Sequence, residues 1–539
     1  MVPTTAVTSL IILLIPCVVL AAPGDFDRTF NAPSGLVFYD PGESGNAVAV
    51  QDDGGIIVAG TIKSGGTSDV LILRYDSSGV LDPSFGSKGA VTYGLPARDE
   101  SATAVAVQHD GRIVVAGAEH NGSNNDVLVL RYNSDGTPDT TFGTGGVFTY
   151  NAPANSDDFA KAVALQPESG KIVVAGGTYN GKNTDVLTLT LNTNGTLDTA
   201  FGAGGVVVYN GAADGDDVGE ALAVQRDGKI VVAGGTFNGS DNDVLLLRYT
   251  PDGAPDVTFA GGDGVASFNP SSGTNEAAKA VSLQRDGKIV VAGGVVVGSS
   301  IDLLVLRYNG NGLPDAGFGT GGAVIYGGGS TNESARSLSV QADGKIVVGG
   351  IVQDTAQVDG IIIRYDDHGV PDPAFGSGGV VTFGTSLGSS DYINALLMQR
   401  DGKIVATGRT SPPAIASSDI VVMRVTGQEF MEPPTGMQTF SCPATVAPVR
   451  GVDPELAWPI GTGPFVAGGD VVNIRVGLTG FSSPVDMYVI ISAPSLSSEL
   501  WLMGPDGGLQ PASSGIVKWK DNTARPVDAS LFGDIPLRM

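Results

Sequence analysis

The chain has 539 residues, of which 42% are hydrophobic and 16% charged, and 79 are glycine. This length predicts two or more domains, and this composition is typical of a folded protein and not of a disordered one. The formal net charge, 30 − 56 = −26, would repel phosphate backbones and anionic lipids, so nucleic-acid binding is disfavoured, and cations or polar neutral ligands are left as candidate partners.

An export signal is predicted at residues 1–22. Leu10–Ala22 is an apolar run of 13 residues that is too short to span a bilayer and contains Pro16. The segment before the run carries no Lys or Arg, which keeps an uncleaved anchor or a wrongly assigned start as alternatives. We expect cleavage and a secreted, periplasmic or cell-surface protein without a stable membrane span. Cys442 would then be the only cysteine left, so the mature fold would contain no internal disulfide.

A turn of the type Asp-Gly-Lys-Ile recurs seven times at steps of 57, 59, 58, 59, 57 and 58 residues. Its glycines are Gly54, Gly111, Gly170, Gly228, Gly287, Gly344 and Gly402. A period this regular, with four short strands in each copy, is typical of propeller blades. We therefore predict an all-β fold, with one seven-bladed β-propeller over residues 23–428.

The fourth copy shows how one repeat is built. Strands are predicted at Glu220–Gln225, Lys229–Ala233, Asp243–Tyr249 and Gly264–Phe268, with a double glycine ending the second. The second and third strands are continuous apolar runs, which indicates that both faces of the sheet are covered.

The repeat region begins with the last strand of a repeat and ends with an incomplete repeat. Leu36–Tyr39 matches the last strand of a repeat, whereas the seventh repeat stops after its third strand, Ile420–Val425. We therefore predict that the N-terminal strand supplies the fourth strand of the last blade and closes the ring without an open sheet edge.

These motifs resemble a known family. The run from Asp126 to Tyr132 and the run from Gly136 to Gly143 are similar to the delta-60 repeat of secreted bacterial β-propeller proteins, over about residues 24 to 426. The resemblance implies a propeller fold without an assigned activity. A weaker resemblance to kelch blades rests on the double glycine followed by Asp-Val. The third copy departs from the pattern, with Thr190 and Leu191 in place of Arg-Tyr and Ser169 in place of the turn Asp.

The remaining chain differs in composition. Residues 429–436 read as a linker, and residues 437–539 as a C-terminal β domain that contains all three tryptophans. Strands are predicted at Val472–Leu478, Val485–Ser492 and Glu499–Met503. We expect a small β-sandwich-like domain, truncated at its end.

A carboxylate lies eight residues before the first-strand glutamine in all seven copies. These acids are Glu43, Glu100, Asp158, Asp217, Glu276, Glu333 and Asp391. Because first strands line the channel of a propeller, the acids could form a ring at one mouth, and oxygen-rich rings suit Ca²⁺. The alternative is a scaffold role, in which the acids accept from backbone N–H groups or pair with the third-strand arginines, Arg74, Arg131, Arg248, Arg307, Arg364 and Arg424. No other cofactor is predicted.

Other candidate residues point to scaffold or solvent. His109, His120 and His368 occupy different positions of the repeat, so they predict neither a metal site nor a catalytic triad. An Asp followed three residues later by Phe recurs in every copy, and we expect the Asp to cap a turn and the Phe to fill a gap between blades. The loops between the second and third strands share a face with the connections between blades, and these connections vary in length.

We therefore expect an exported, monomeric, non-enzymatic binding or scaffold protein whose partner, a protein or a polar or glycan ligand, is unknown. The alternative is a metal-dependent hydrolase or lyase that uses the acidic ring at the propeller mouth.

Overall fold

The computed structural model describes residues 22–427, apart from 41–42, 271–272, 328, 387 and 412–417, together with short strands between 471 and 536. The apolar run of the predicted signal, the linker 429–436 and Cys442 lie outside the described residues. The chain separates into two compact parts, Met1–Glu429 and Phe430–Met539.

The described residues contain strands and no helix. The first part holds β1 Leu36–Tyr39; repeat 1, β2 Ser44–Val50, β3 Ile56–Ser64, β4 Thr67–Tyr75, β5 Ala90–Tyr93; repeat 2, β6 Glu100–Val107, β7 Ile113–His120, β8 Asn125–Tyr132, β9 Val147–Tyr150; repeat 3, β10 Asp158–Leu165, β11 Ile172–Tyr179, β12 Thr184–Leu191, β13 Val206–Tyr209; repeat 4, β14 Asp217–Val224, β15 Ile230–Phe237, β16 Asn242–Tyr249, β17 Val265–Phe268; repeat 5, β18 Glu276–Leu283, β19 Ile289–Val297, β20 Ser300–Tyr308, β21 Ala323–Tyr326; repeat 6, β22 Asn332–Val340, β23 Ile346–Gln353, β24 Val358–Tyr365, β25 Val380–Phe383; and repeat 7, β26 Ser390–Met398, β27 Ile404–Ser411, β28 Asp419–Val425. No helix in this part of the chain is long and apolar enough to cross a membrane.

The strands of each repeat pair in sequence order as an antiparallel sheet. Repeats 1 to 5 form separate four-stranded sheets. The strands of repeats 6 and 7, together with β1, make one eight-stranded sheet, in which the single parallel pair Val358–Ser390 joins the two repeats. β1 pairs antiparallel with β28, with Leu36 opposite Met423 and Tyr39 opposite Ile420. Repeat 7 thus gains a fourth strand from the N-terminal segment.

The double glycine lies inside the second strand and does not end it, contrary to the sequence prediction. A bulge between Gly219 and Ala221 turns the Val218 carbonyl toward Gly234, where a Cβ atom would lie 1.8 Å from the oxygen. Because only glycine tolerates that approach, Gly234 is a strand residue and the ladder runs on to Phe237.

The apolar core lies between neighbouring repeats. Residues from the second and third strands of two adjacent repeats form each buried cluster, as in the cluster of Val114 and Val129 from repeat 2 with Val174 and Leu189 from repeat 3. One cluster joins repeats 7 and 1, through Val405 and Val422 on one side and Ile56 and Leu73 on the other. The continuous apolar runs of these strands are therefore covered on both faces.

The recurring Asp–Phe pair is structural, as predicted. Asp139 accepts hydrogen bonds from the N–H and hydroxyl of Thr141, and Phe142 is fully buried. The Arg131 guanidinium bonds Asp139 at 2.8 Å, lies 4.6 Å from the Phe142 ring and donates to the Thr193 carbonyl of the next repeat. In repeat 3, where Thr190 replaces the arginine, Lys171 alone pairs with the capping Asp198 at 2.5 Å.

In the second part, the described strands are β29 Val471–Val472, β30 Val485–Met487, β31 Ile490–Ser492, β32 Leu500–Met503, β33 Leu509–Pro511, β34 Lys520–Thr523 and β35 Ile535–Pro536. They pair antiparallel as β29 with β35, β30 with β34, β31 with β32, and β32 with β33. The sandwich-like arrangement stays a prediction.

Candidate functional site

The predicted acids lie at the starts of the first strands, and most are buried. Glu100, Asp158, Asp217, Glu276, Glu333 and Asp391 are each at most 4% exposed. Glu43 differs, because its side chain is 35% exposed and lies 3.8 Å from the Lys63 ammonium. The structure therefore places six of the seven acids inside the fold.

Backbone N–H groups of the preceding connection hold several of these carboxylates. The donor and acceptor atoms are Leu95 N and Glu100 Oε2 at 3.1 Å, Ala152 N and Asp158 Oδ2 at 2.7 Å, Gly211 N and Asp217 Oδ2 at 2.5 Å, and Thr385 N and Asp391 Oδ2 at 2.9 Å. These bonds match the predicted scaffold role in which the acids accept from backbone N–H groups. The other oxygen of Glu100 and that of Asp217 are buried without a hydrogen-bond partner.

A second carboxylate, on the third strand of the preceding repeat, lies close to several of these acids. Burial raises the pKa of Asp158, and the charge of Asp126 raises it further. Burial likewise raises the pKa of Glu276, with Asp243 and Asp241 nearby. Each of these interfaces therefore holds neighbouring carboxyl groups, which repel each other when they are ionised.

The alternative pairing of these acids with the third-strand arginines is wrong. Each arginine bonds the turn-capping Asp eight residues later in the chain, or Asp27 in the case of Arg424. The pairs are Arg74–Asp82, Arg131–Asp139, Arg248–Asp256, Arg307–Asp315, Arg364–Asp372 and Arg424–Asp27. Arginine and the first-strand acids serve separate interfaces, because the long connection returns the capping Asp to the end of the third strand.

The structure does not gather the seven acids into one cluster. Among residues 22–427 as described, the group of three or more metal-ligand side chains within 4.8 Å of one another is Asp366, Asp367 and His368, in a turn where the last two side chains are exposed. The acidic ring as a metal site therefore stays a prediction.

Two further sets of residues predicted to be on the surface have local partners. The side chains of His109 and His368 are 102% and 71% exposed, and His368 lies 2.6 Å from Asp367. Among the connections between repeats, Asp157 and Asp216 accept from the N–H groups of Asn125 and Thr184 in the preceding repeat. These loop acids tie repeats together.

A row of polar side chains runs along the first strands. Each first strand has a bulge that leaves one residue unpaired, and we call the set of these residues the bulge row: Asn46, Thr103, Lys161, Glu220, Lys279, Arg336 and Asn394. Apart from Lys161, which lies on the Phe159 ring of its own repeat, their side chains bond to a neighbouring repeat. The bonds are Asn46 to the Ala102 carbonyl, Thr103 to the Ala160 carbonyl, Lys279 to Glu220, Arg336 to Asn394, and Asn394 to Ser44 and the Gly45 carbonyl.

Repeat 7 departs from the other repeats beside this row. Tyr392 and Arg409 face each other across β26 and β27. The pairs at this position in repeats 1 to 6 are Ser44–Thr61, Ser101–Ala118, Phe159–Gly177, Val218–Gly235, Ala277–Gly294 and Ser334–Ile351, none of which carries a charge. The scaffold therefore does not require an arginine there.

Arg409 and Arg336 both lie on the Tyr392 ring. Their guanidinium carbons are 4.3 and 5.1 Å from the ring centroid. In the described part of the chain neither arginine forms an ion pair with a carboxylate, although the chain as a whole is strongly acidic. Burial and the Arg409 charge lower the pKa of Arg336, and the Tyr392 phenol opposes them.

The features that the repeats share do not reveal this constellation, because Tyr392 and Arg409 are specific to repeat 7. Aligning the repeats and looking for the copy that differs would have found Tyr392 and Arg409, since arginine replaces the second glycine of the Gly-Gly pair. The bulge position of Arg336 carries no such signal, because seven copies there hold five residue types.

The solved structures that match this chain share little sequence with it. They include polysaccharide lyase Uly1 (TM-score 0.41, 10% identity, covering 71% of this chain and 90% of that one) and Sqt1 from Chaetomium thermophilum (0.37, 13%, 72% and 98%). Drosophila Semaphorin 1b, extracellular domains 1-2, has a TM-score of 0.40 at 9% identity, covering 74% of this chain and 87% of that one. Such scores identify neither an activity nor a ligand.

No curated protein sequence matches the chain. A family model described as a domain of unknown function (DUF5122) beta-propeller matches it six times, at residues 51–85, 108–142, 168–201, 225–259, 284–318 and 341–375. The matches begin at or near the end of each first strand and end at the buried Phe. These matches and the repeated antiparallel sheets indicate an all-β protein built from β-propeller repeats.

Proposed function

We propose that residues 23–428 form a seven-bladed β-propeller that is exported and acts as a non-enzymatic binding protein. Three contacts that join repeat 7 to the N-terminal segment or to repeat 1 support a ring: the β1–β28 pairing, the shared apolar cluster, and the Arg424 bond to the Ser77 carbonyl at 2.5 Å. In such a ring the first strands would surround an axial channel, and the bulge row would line it near the face that carries the loops between second and third strands.

The binding role is proposed because residues that recur in the repeats have structural partners, whereas the residues of the bulge row differ from repeat to repeat. Groups that recur in most or all repeats are engaged in the scaffold, as the Arg131–Asp139 pair and the Asp158 bond to Ala152 illustrate. The bulge row differs between repeats and holds polar or charged side chains at the proposed channel. Variable polar groups on a repeated rigid frame are typical of a ligand-binding surface.

In the part of the chain that the structure describes, the candidate proton-transfer groups are poorly placed for catalysis, which supports a binding role. The exposed histidines occupy turns, and the first-strand acids are buried and held by backbone N–H groups, so neither set is placed to exchange protons with a substrate. The apolar run Leu10–Ala22 supports export, and we expect the exported protein to be a monomer.

A thermal-shift screen of the mature protein tests this proposal. The panel holds neutral saccharides, acidic saccharides, small anions and divalent cations, and each mixture is also assayed for released product. We expect a ligand of the panel to raise Tm by mass action without product formation. The Lys279→Thr/Glu220→Thr variant, which removes one ion pair of the bulge row without changing net charge, should alter this response, whereas Arg226→Thr in a turn on the opposite face should not. Turnover of any panel member would contradict the proposal.

A further inference from the structure

We propose that Arg336, Tyr392 and Arg409 form a binding site for an oxyanion, the carboxylate or sulfate group of a small acidic ligand. This inference deepens the binding function proposed above and rests on it.

Other repeats form the same strands without arginine at the positions of Arg336 and Arg409. Six repeats fold the same strand pair with uncharged residues at the position of Arg409, and repeat 2 uses Ala118 there. The bulge position of Arg336 is filled by Thr103 in the same repeat. Neither arginine is needed to form the bulge or the ladder, so their presence side by side calls for a role outside the scaffold.

The positive charges of Arg336 and Arg409 lie close together. Two guanidinium groups lie against one ring, and in the described part of the chain no carboxylate pairs with either of them. The nearby Asp391 is fully buried and engaged by Thr385 and Ser389. Two like charges in one place repel each other, and an oxyanion that accepts from both would remove the repulsion.

Hydrogen bonds hold the Arg336 guanidinium group in place. Arg336 donates one N–H, from Nη1, to Asn394 at 2.8 Å, and Asn394 in turn bonds Ser44 and the Gly45 carbonyl at 3.0 Å. This chain of bonds holds the guanidinium across repeats 6, 7 and 1 and leaves its other donors available. Because a fixed guanidinium loses less freedom when it binds, such a fork favours planar or tetrahedral oxygen groups.

The exposure of Arg336 and the charge of the chain limit what can bind. Arg336 is exposed to solvent, so a solute can reach its guanidinium group. The net charge of −26 repels large polyanions, so the site suits a single acidic group on a small solute or saccharide and not a nucleic acid.

Titration calorimetry with the full mature protein tests the site. The probes are sodium sulfate and sodium galacturonate, with galactose as the uncharged twin of galacturonate. We expect an oxyanion to bind with Kd of about 1 mM or tighter, with galactose at least about tenfold weaker. Arg409→Ala and Arg336→Thr, which install the residues of repeat 2, should each raise Kd about tenfold without changing Tm. Arg226→Ala, on the opposite face, removes the same charge and should change Kd less than about twofold.

Arg409→Lys keeps the charge without the fork and is the second variant if Arg409→Ala lowers Tm; it should lie between wild type and alanine. The site is wrong if neither oxyanion binds, or if both arginine variants bind as wild type does. Binding of galactose without the oxyanions overturns this inference and leaves the binding function standing, whereas no response to any probe or panel member overturns both.

Discussion

At the scale of single residues, the aspartates of one repeat divide into two electrostatic roles. Burial would raise the pKa of Asp139, but hydrogen bonds from Thr141 and the Arg131 charge lower it below its ordinary value. Asp158 has a backbone donor but no cation, and burial raises its pKa. The environment of Asp139 therefore favours the ionised carboxylate, whereas that of Asp158 favours the protonated carboxyl group.

We expect Asp158→Asn to increase the free energy of unfolding at pH 8, by on the order of 1 kcal/mol. Because the folded pKa of Asp158 is raised, its contribution to stability is fully present below the ordinary carboxyl pKa and is lost as pH rises through the folded value. The amide removes that loss. Chemical denaturation at pH 8 and at about pH 3, below the ordinary carboxyl pKa, measures the gain, which should vanish at the lower pH.

Asp139→Asn is the matched substitution with the opposite sign. It leaves the buried Arg131 without its carboxylate, so we expect a loss of about 3 kcal/mol at pH 8. The folded pKa of Asp139 is lowered, so its contribution is present above the ordinary carboxyl pKa and is lost as pH falls through the folded value. Equal effects of the two substitutions at pH 8 would show that the two environments do not differ.

The Ca²⁺ prediction is tested at Glu276, a buried acid that lies near Asp243. If the interface shares a proton, Glu276→Gln should raise Tm in chelator by a few degrees and Ca²⁺ should change neither protein. A Ca²⁺-dependent rise in wild-type Tm that the variant lacks would instead establish a cation site there.

The roles of these residues could be predicted only in part from the sequence. Recurrence alone marked Phe142 and Asp139 as structural, and the structure confirms both. The partner of Arg131 was predicted wrongly, because the spacing of eight residues to Asp139 was not weighed as a contact. Burial of Glu100 could not be predicted, since a period says which residues are equivalent and not which face of a strand they occupy.

At the scale of elements, the bulge in the first strand explains the double glycine. A Cβ atom at Gly234 would lie 1.8 Å from the Val218 carbonyl oxygen, whereas one at Gly235 would meet its nearest atoms at 3.8 Å. The first glycine serves the backbone contact, and the second position is open to other residues, as Ala118 and Arg409 show.

This difference predicts opposite outcomes for neighbouring substitutions. Gly234→Ala must displace the bulged carbonyl and should lower the free energy of unfolding by about 3 kcal/mol. Gly235→Ala should change it by less than about 1 kcal/mol, because the methyl group meets only ordinary contacts. Denaturant unfolding of the two variants measures this, and a loss in Gly235→Ala as large as in Gly234→Ala would refute the role of the bulge.

At the scale of the whole molecule, the fixed period was the strongest signal in the sequence. It predicted repeated four-stranded sheets because each repeat can bury its faces only against its neighbours. The phase of Leu36–Tyr39 predicted the pairing with the last repeat, and the structure has that pairing. The bulge row and its contacts could not be predicted, since they arise between first strands of different repeats and leave no local pattern.

The central claim at this scale is that one chain closes its own ring through β1 and β28. Val37 and Val422 lie opposite each other in that pairing, where antiparallel Cα atoms are about 4.5–5.5 Å apart, a distance that a disulfide spans. The test is therefore a pair of cysteines, Val37→Cys and Val422→Cys, in a Cys442→Ser background. The matched control pairs Val37→Cys with Val421→Cys, whose side chain points to the other face of the strand.

Mass spectrometry of the oxidised protein, after separation of monomer from dimer without reductant, is the most direct measurement. The account predicts an internal disulfide in the monomer of the Val37→Cys/Val422→Cys variant and free thiols in most of the control. Free thiols in the test variant, or a disulfide found only between two chains, would contradict ring closure within one molecule.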